Sequence, residues 1–158
     1  MSENTSNVYE APEANLTQTN GSSNKPILNF ERFSAWGVFF LTIITIGIYG
    51  VYWLISRTNK ANALATKQVS QGLIYGYLAL YVVNFILSFT GAPPALSLSI
   101  SLASMVVGLI YIFTLRASIT ELINEGSSEP VKLGGVKTFF FNIIYFQYKI
   151  NEAIDRQK

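Results

Sequence analysis

Four carboxylates in the C-terminal part of the chain are the side chains best suited to acid–base chemistry: Glu121, Glu125, Glu152 and Asp155. At a membrane surface they could serve lipid chemistry, which makes a membrane enzyme the third alternative for function. The chain has no cysteine and no histidine, so thiolate nucleophiles, imidazole bases and the usual ligands of zinc, copper and haem are excluded. We therefore interpret the carboxylates as a solvated face and predict a protein that is no enzyme and uses no metal or cofactor.

Uncharged polar side chains form a second group, because two apolar stretches carry them at helical spacing. The first stretch has Tyr77, Tyr81, Asn84 and Ser88 on one helix face, and the second has Ser97, Ser101, Ser104 and Gly108 on one face. Folding the chain between residues 92 and 93 pairs Ser88 with Ser97, Asn84 with Ser101, Tyr81 with Ser104 and Tyr77 with Gly108. We name this set the hairpin zipper and predict that it packs two helices in lipid, with a polar pathway as the alternative.

Composition indicates the environment of these elements. Half of the residues are apolar and 13% are charged, against roughly 25% charged residues in a typical soluble domain. The net charge is only +2 without a dense basic run, so nucleic acid is not an expected partner. No ionisable side chain lies inside the apolar stretches, which argues against proton-coupled transport but leaves open a passive pore built from several copies.

The lengths of the apolar stretches predict an all-α integral membrane protein with three transmembrane helices. The first, at about 33–56, reaches ~36 Å as a helix, against a hydrocarbon core of ~30 Å. A signal peptide is the competing interpretation, but the apolar run is too long and Arg57 and Lys60 precede the small residues "ANALA". The second and third helices, at about 72–90 and 95–115, form a tight hairpin around "GAPP" at 91–94.

Segments outside these spans complete the predicted architecture. Residues 1–29 are polar and predict a disordered tail, and 30–158 form the helical membrane domain, with a cytoplasmic extension at 116–125. At 136–156 one polar stripe predicts an amphipathic helix in the interface, and a fourth crossing is the alternative. The stripe consists of Thr138, Asn142, Tyr145, Lys149, Glu152 and Arg156.

Basic residues predict the orientation. Arg57, Lys60 and Lys67 have no acidic residue between them, so the loop 57–71 is expected in the cytoplasm. Three crossings then put Arg116 inside and the N-terminal tail outside.

Aromatic residues and glycines mark the expected interfaces and packing faces. Trp36 and Trp53 lie ~26 Å apart along a continuous helix, which favours a complete crossing over a hairpin that would return both to one side. Gly47 and Gly50 thin a face for a neighbouring helix. Gly72 and Gly76 form a GxxxG, a pattern that is common in membrane helices, and self-association through it is the alternative to an incidental occurrence. The remaining interfacial anchors are Tyr49, Tyr52, Tyr145 and Tyr148.

The stretch "ITIGIYGVYWLISRTNKAN" resembles the signature of a bacterial membrane family, domain of unknown function 4234. The C-terminal "FFFNIIYFQYKIN" is similar to the end of members of the same family, so the resemblance covers about residues 33–151. It implies a small bacterial inner-membrane protein and carries over no catalytic or ligand-binding residue. The two segments that carry the resemblance are also similar to each other, since "IYGVYWL" and "IYFQYKI" share the pattern Ile-Tyr-x-x-Tyr-x-aliphatic.

The sequence therefore predicts a multi-pass inner-membrane protein with a non-enzymatic structural, accessory or partner-binding role. An oligomeric small pore or transporter-like protein is the alternative. The expected partners are the lipid bilayer and either a second copy of the chain or another membrane protein.

Overall fold

The computed structural model describes residues 25–158, and within them the chain forms five α-helices and no strand. The all-α class is therefore confirmed for this range. The helices are α1 (Ala35–Ile44), α2 (Ile48–Leu64), α3 (Gln71–Thr90), α4 (Pro94–Asn124) and α5 (Gly135–Gln157), preceded by a 3₁₀ turn at Pro26–Asn29.

The predicted hairpin around "GAPP" is formed by α3 and α4. Ser70 caps α3 by accepting the amide of Leu73, and Gly91 ends the helix with a left-handed φ of +62°. Proline at the first position of α4 then starts the return helix. Among the described helices, α3 and α4 are the two that are long and apolar enough to cross a membrane.

The predicted first span at 33–56 is wrong, so residues 25–158 contain two candidate spans and not three. The run is broken into α1 and α2 at Ile46 and Gly47, whose φ angles are +52° and +88°. Beyond this turn α2 runs back alongside α1, because Arg57 and Lys60 lie within 3.7 and 3.2 Å of Glu31. Glycine without a Cβ makes such a reversal accessible inside an apolar run.

A sharp kink at Asn142, with φ +20° and ψ −102°, divides α5. The Gly134 amide donates to Tyr145 Oη at 3.1 Å across a kink between them, whereas residues so far apart in a straight helix lie ~16 Å from each other. The helix predicted at 136–156 is present as α5, with a kink that the sequence did not predict, and its amphipathic position in the interface stays a prediction. Thr138 of its polar stripe is buried, and Phe139 and Phe140 beside it are exposed.

The core lies where α4, α5, α2 and the 3₁₀ turn meet. We call this part of the molecule the charged end, because the ion pairs of Glu31 with Arg57 and Lys60 lie there. The largest fully buried side chains of the core include Tyr111, Leu115, Ile119, Leu122, Phe146 and Ile150. Ile27 and Phe30 belong to this core, so the predicted disordered tail does not extend to residue 29; residues 1–24 lie outside the described range. The predicted extension at 116–125 is the last part of α4.

Candidate membrane interface

The turn between α1 and α2 is level with the middle of α3. Tyr81, halfway along Gln71–Thr90, donates its hydroxyl to the carbonyl of Ile46 at 3.4 Å. The tip of this hairpin therefore reaches about half of the length of α3.

Backbone groups at the tip are paired within the hairpin. The Gly47 amide donates to Thr42 at 2.7 Å and the Ile48 amide to Thr45 at 3.2 Å. The hydroxyl of Thr45 also accepts the amide of Tyr49 at 2.9 Å, which caps the start of α2. These bonds make the irregular turn compatible with an apolar environment, where an unpaired backbone group costs several kcal/mol.

The hairpin of α1 and α2 contacts the second half of α5 at Gly50. A Cβ at this position would lie 3.0 Å from Thr42 Cγ2 and 3.3 Å from Ile143 Cδ1. The predicted role of Gly50, to thin a face for a neighbouring helix, matches this close approach. Gly47 has a different role, because its φ of +88° forms the turn.

A hydrogen-bond chain that starts at a buried pair joins these elements about one helical turn closer to the charged end. Trp53 Nε1 donates to Gln147 Oε1 at 2.9 Å, and Gln147 Nε2 donates to Asn151 Oδ1 at 2.8 Å. Asn151 Oδ1 also accepts the amide of Phe33 at 3.3 Å. The chain thus connects α2, α5 and the segment that precedes α1.

The tryptophans do not form the predicted belt. Because α2 returns beside α1, Trp36 and Trp53 lie on the same side of the turn. Trp36 is 68% exposed and Trp53 is 2% exposed, so only Trp36 faces outward. Tyr52 and Tyr148 are exposed as well, whereas Tyr145 uses its hydroxyl on Gly134.

The orientation charges lie at the charged end and are partly engaged. The hydrogen bond from Lys60 and the charges of Lys60 and Arg57 lower the pKa of the Glu31 carboxyl. Arg57 is buried, lies 5.9 Å from the Trp53 ring centre, and its Nε has no hydrogen-bond partner among residues 25–158. Arg116 Nε donates to the carbonyl of Leu133 at 2.8 Å, which ties α4 to the start of α5.

Three of the four candidate acid–base groups have structural partners. Glu121 accepts the amides of Thr66 at 2.7 Å and Lys67 at 3.1 Å, and the hydrogen bond from Thr66 is the main cause that lowers its pKa. Glu152 pairs with Lys149 at 2.6 Å, and Asp155 pairs with Arg32 at 2.9 Å. Glu125 lies exposed just beyond α4. In the described range no group of acidic side chains is placed to hold a metal ion.

The structure brings together part of the hairpin zipper. Ser101 donates to Asn84 Oδ1 at 2.8 Å, and Asn84 Nδ2 also contacts Ser104. A Cβ on Gly108 would lie 3.1 Å from Tyr77 Cε2, which is the close approach predicted for this pair.

Two zipper residues use other partners. Tyr81 reaches Ile46 instead of Ser104, and Ser88 donates to the Asn84 carbonyl of its own helix at 2.9 Å. Among the described contacts, Ser97 makes no hydrogen bond with its side chain. The zipper is thus formed in its middle and toward the charged end.

Gly72 and Gly76 lie on an open face of α3. No atom lies within 4 Å of a Cβ added at either position. Within the described chain the GxxxG therefore serves no internal packing, and self-association through it stays a prediction.

Several contacts of the interface involve residues that no sequence pattern had marked. Thr58 shares a hydrogen bond of 2.8 Å with Tyr111, whose ring lies 5.3 Å from that of Tyr77. Gln147 and Asn151 complete the chain from Trp53. The sequence signal that could have identified Gln147 was a side-chain amide inside the apolar segment "FFFNIIYFQYKIN", because a buried amide requires a hydrogen-bond partner.

The comparisons with known proteins give one match. A family model described as "Domain of unknown function (DUF4234)" matches residues 33–156. No curated protein and no solved structure matches the chain.

Proposed function

We propose for this chain, which belongs to the DUF4234 family, a non-enzymatic role as a structural, accessory or partner-binding protein embedded in the bacterial inner membrane. One observation carries the proposal, namely the large exposed apolar side chains on α1 and the turn after it, on α3 and α4, and on the first part of α5. Its exposed large side chains include Trp36, Phe40, Ile44, Ile46, Tyr75, Ile86, Phe89, Leu98, Met105, Val136 and Phe140. Soluble monomers rarely expose contiguous apolar patches larger than a few hundred Å².

The geometry supports a specific placement in the bilayer. In this placement α3 and α4 cross the membrane, while the α1–α2 hairpin enters to half depth and returns. Residues 25–33 and the loop 65–70 then lie on one side, in keeping with the ion pairs between Glu31 and Arg57 or Lys60. The positive-inside rule makes this side cytoplasmic, so the predicted outside position of the segment before α1 is replaced.

A non-enzymatic role is supported by the use of the polar side chains. Glu121, Glu152 and Asp155 are engaged with backbone amides or basic partners. Asn84 is held by Ser101, Ser104 and carbonyls of both helices. Such mutual satisfaction favours packing over an open polar pathway, so we expect no ion or solute flux from proteoliposomes; flux would favour the pore.

Site-specific labelling tests the proposed placement. The chain has no cysteine, so single cysteines can be introduced by Arg32→Cys, Ala92→Cys and Ser128→Cys. With a membrane-impermeant maleimide, we expect positions 32 and 128 to react from the same side and position 92 from the opposite side. Reaction of position 32 together with position 92 would restore three crossings. Release of the protein by alkaline carbonate would overturn the membrane placement altogether.

A further inference from the structure

We propose that the protein is a curvature-sensitive wedge that prefers membranes whose charged-end leaflet is convex. This inference rests on the membrane placement proposed above. It follows from an unequal distribution of helices between the two halves of the α3–α4 pair. The half next to the charged end has other helices packed against part of its surface, and among the described residues the half next to Gly91 does not.

The first part of the argument is the depth of the added helices. Tyr81, at the middle of α3, contacts the tip of the α1–α2 hairpin through the Ile46 carbonyl at 3.4 Å. The kink of α5 is near the same level, because Ile143 packs on Gly50, one helical turn from this tip. Both elements therefore end near the middle of the bilayer.

The far half of the α3–α4 pair has no such neighbours among the described residues. Val82, Ile86 and Phe89 of α3 are between 45% and 75% exposed. Leu98 and Leu102 of α4 are similarly exposed. By contrast, Ile74 and Tyr111 in the near half are buried. Of the described helices, only α3 and α4 thus occupy the far leaflet.

The protein occupies a substantially larger cross-sectional area in the near leaflet than in the far leaflet. The near leaflet contains α1, α2 and both parts of α5 in addition to α3 and α4. A helix with its side chains is about 10 Å wide, so four added segments enlarge the near leaflet by roughly 300 Å² per molecule. A bilayer accommodates this excess by bending so that the near leaflet is convex.

Buried contacts make the wedge stiff. Thr58 of α2 is hydrogen-bonded to Tyr111 of α4 at 2.8 Å, and Trp53 is bonded to Gln147 at 2.9 Å. Both contacts are fully buried, so the hairpin cannot spread sideways without breaking them. A stiff shape transmits its asymmetry to the lipid instead of adapting to a flat bilayer.

Sorting between flat and curved membrane tests the proposal. The full chain, labelled through Ala92→Cys with a fluorophore, is reconstituted into giant vesicles of phosphatidylethanolamine and phosphatidylglycerol, and narrow tubes are pulled from them. Protease access to the charged end identifies the molecules with that end outside, which is the convex side of a tube. We expect severalfold enrichment of these molecules in tubes.

Two substitutions at the tip provide the matched pair. Ile46→Asp puts a carboxylate at mid-depth and should drive the α1–α2 hairpin toward the surface, which reduces the enrichment because two of the four added segments leave the near leaflet. Ile46→Asn has nearly the same shape, tolerates a positive φ equally well and has no charge, so it should keep the enrichment. Both are measured at pH 8, where an aspartate in contact with water is ionised.

Each outcome decides one statement. Inserted wild-type protein that distributes equally between tube and vesicle overturns the wedge and leaves the membrane placement intact. Wild-type protein that does not insert overturns both. Undiminished sorting of an inserted Ile46→Asp variant overturns the assignment of the wedge to the α1–α2 hairpin.

Discussion

Ile46 and Asn142 occupy matching positions in two separate helix breaks. Each has a positive φ and stands two residues before an Ile-Tyr-x-x-Tyr-x-aliphatic segment. Four residues before each break is a threonine, Thr42 or Thr138, whose hydroxyl donates to the carbonyl of the residue four positions earlier, at 2.7 and 2.9 Å. In both places the similar sequence thus follows a residue with a positive φ, and Ile143, which directly precedes the second copy, packs against Gly50 of the first copy.

The first prediction distinguishes the hairpin from a continuous span. Cysteines introduced by Thr42→Cys and Gly50→Cys should form a disulfide on oxidation in membranes, because Gly50 directly contacts Thr42. In a continuous helix these positions would be ~12 Å apart along the axis, too far for a disulfide. The readout is a mobility shift reversed by reductant.

The matched control for this cross-link is the pair Gly76→Cys and Asn84→Cys, which has the same spacing inside the single helix α3. It should not react within one chain. If the control pair cross-linked as efficiently as positions 42 and 50, the assay would not support a hairpin.

The second prediction concerns Gly47. Replacement by alanine forces a Cβ into a φ of +88° and 3.1 Å from Tyr81 Oη, so we expect a loss of stability of about 1–2 kcal/mol or more. Thermal unfolding in detergent measures it. Gly91→Ala, with a φ of +62° but no neighbour within 4 Å, should cost less, and Gly72→Ala should be neutral. Equal effects at all three positions would contradict a special role for the tip.

The third prediction concerns the buried pair of Trp53 and Gln147. Gln147→Leu leaves the indole N–H without its partner, which should destabilise the protein by about 1–3 kcal/mol. The chain has two tryptophans, and Trp53→Phe removes one of them, so the unfolding of every variant is followed by circular dichroism. A double-mutant cycle with Trp53→Phe isolates the pair; strictly additive losses would show that the hydrogen bond contributes nothing.

The fourth prediction is a pH dependence from Glu121. Hydrogen bonds from the amides of Thr66 and Lys67 lower its pKa, so the carboxylate stabilises the fold above the ordinary Glu value. This stabilisation is lost as pH falls through the lowered pKa, which lies below the ordinary Glu value of 4.5. Unfolding temperatures of the wild type and Glu121→Gln should differ at pH 7 and converge in acid.

Glu31 also has a lowered pKa and titrates in the same direction. Both proteins contain it, so the difference between them reports Glu121. A constant difference from pH 7 to pH 3 would exclude the proposed contribution.

The fold was predictable where local chemistry is sufficient. Gly91 and the two prolines after it break a helix in any context, which determines the turn between α3 and α4. Helical spacing determines that Asn84 and Ser101 face each other once this turn exists. The prediction that these two stretches form apolar helices likewise follows from the absence of charged residues in them.

Tertiary structure decided the path of residues 33–56. The uncharged run has the same length and composition whether it folds as a hairpin or as a single span. Composition therefore cannot distinguish these two folds. The reversal at Gly47 is held by Thr45 at the start of α2, by Tyr81 on the Ile46 carbonyl and by Ile143 against Gly50. Two of these three partners are distant in sequence, so the energy that selects the turn exists only after α3 and α5 have packed beside it.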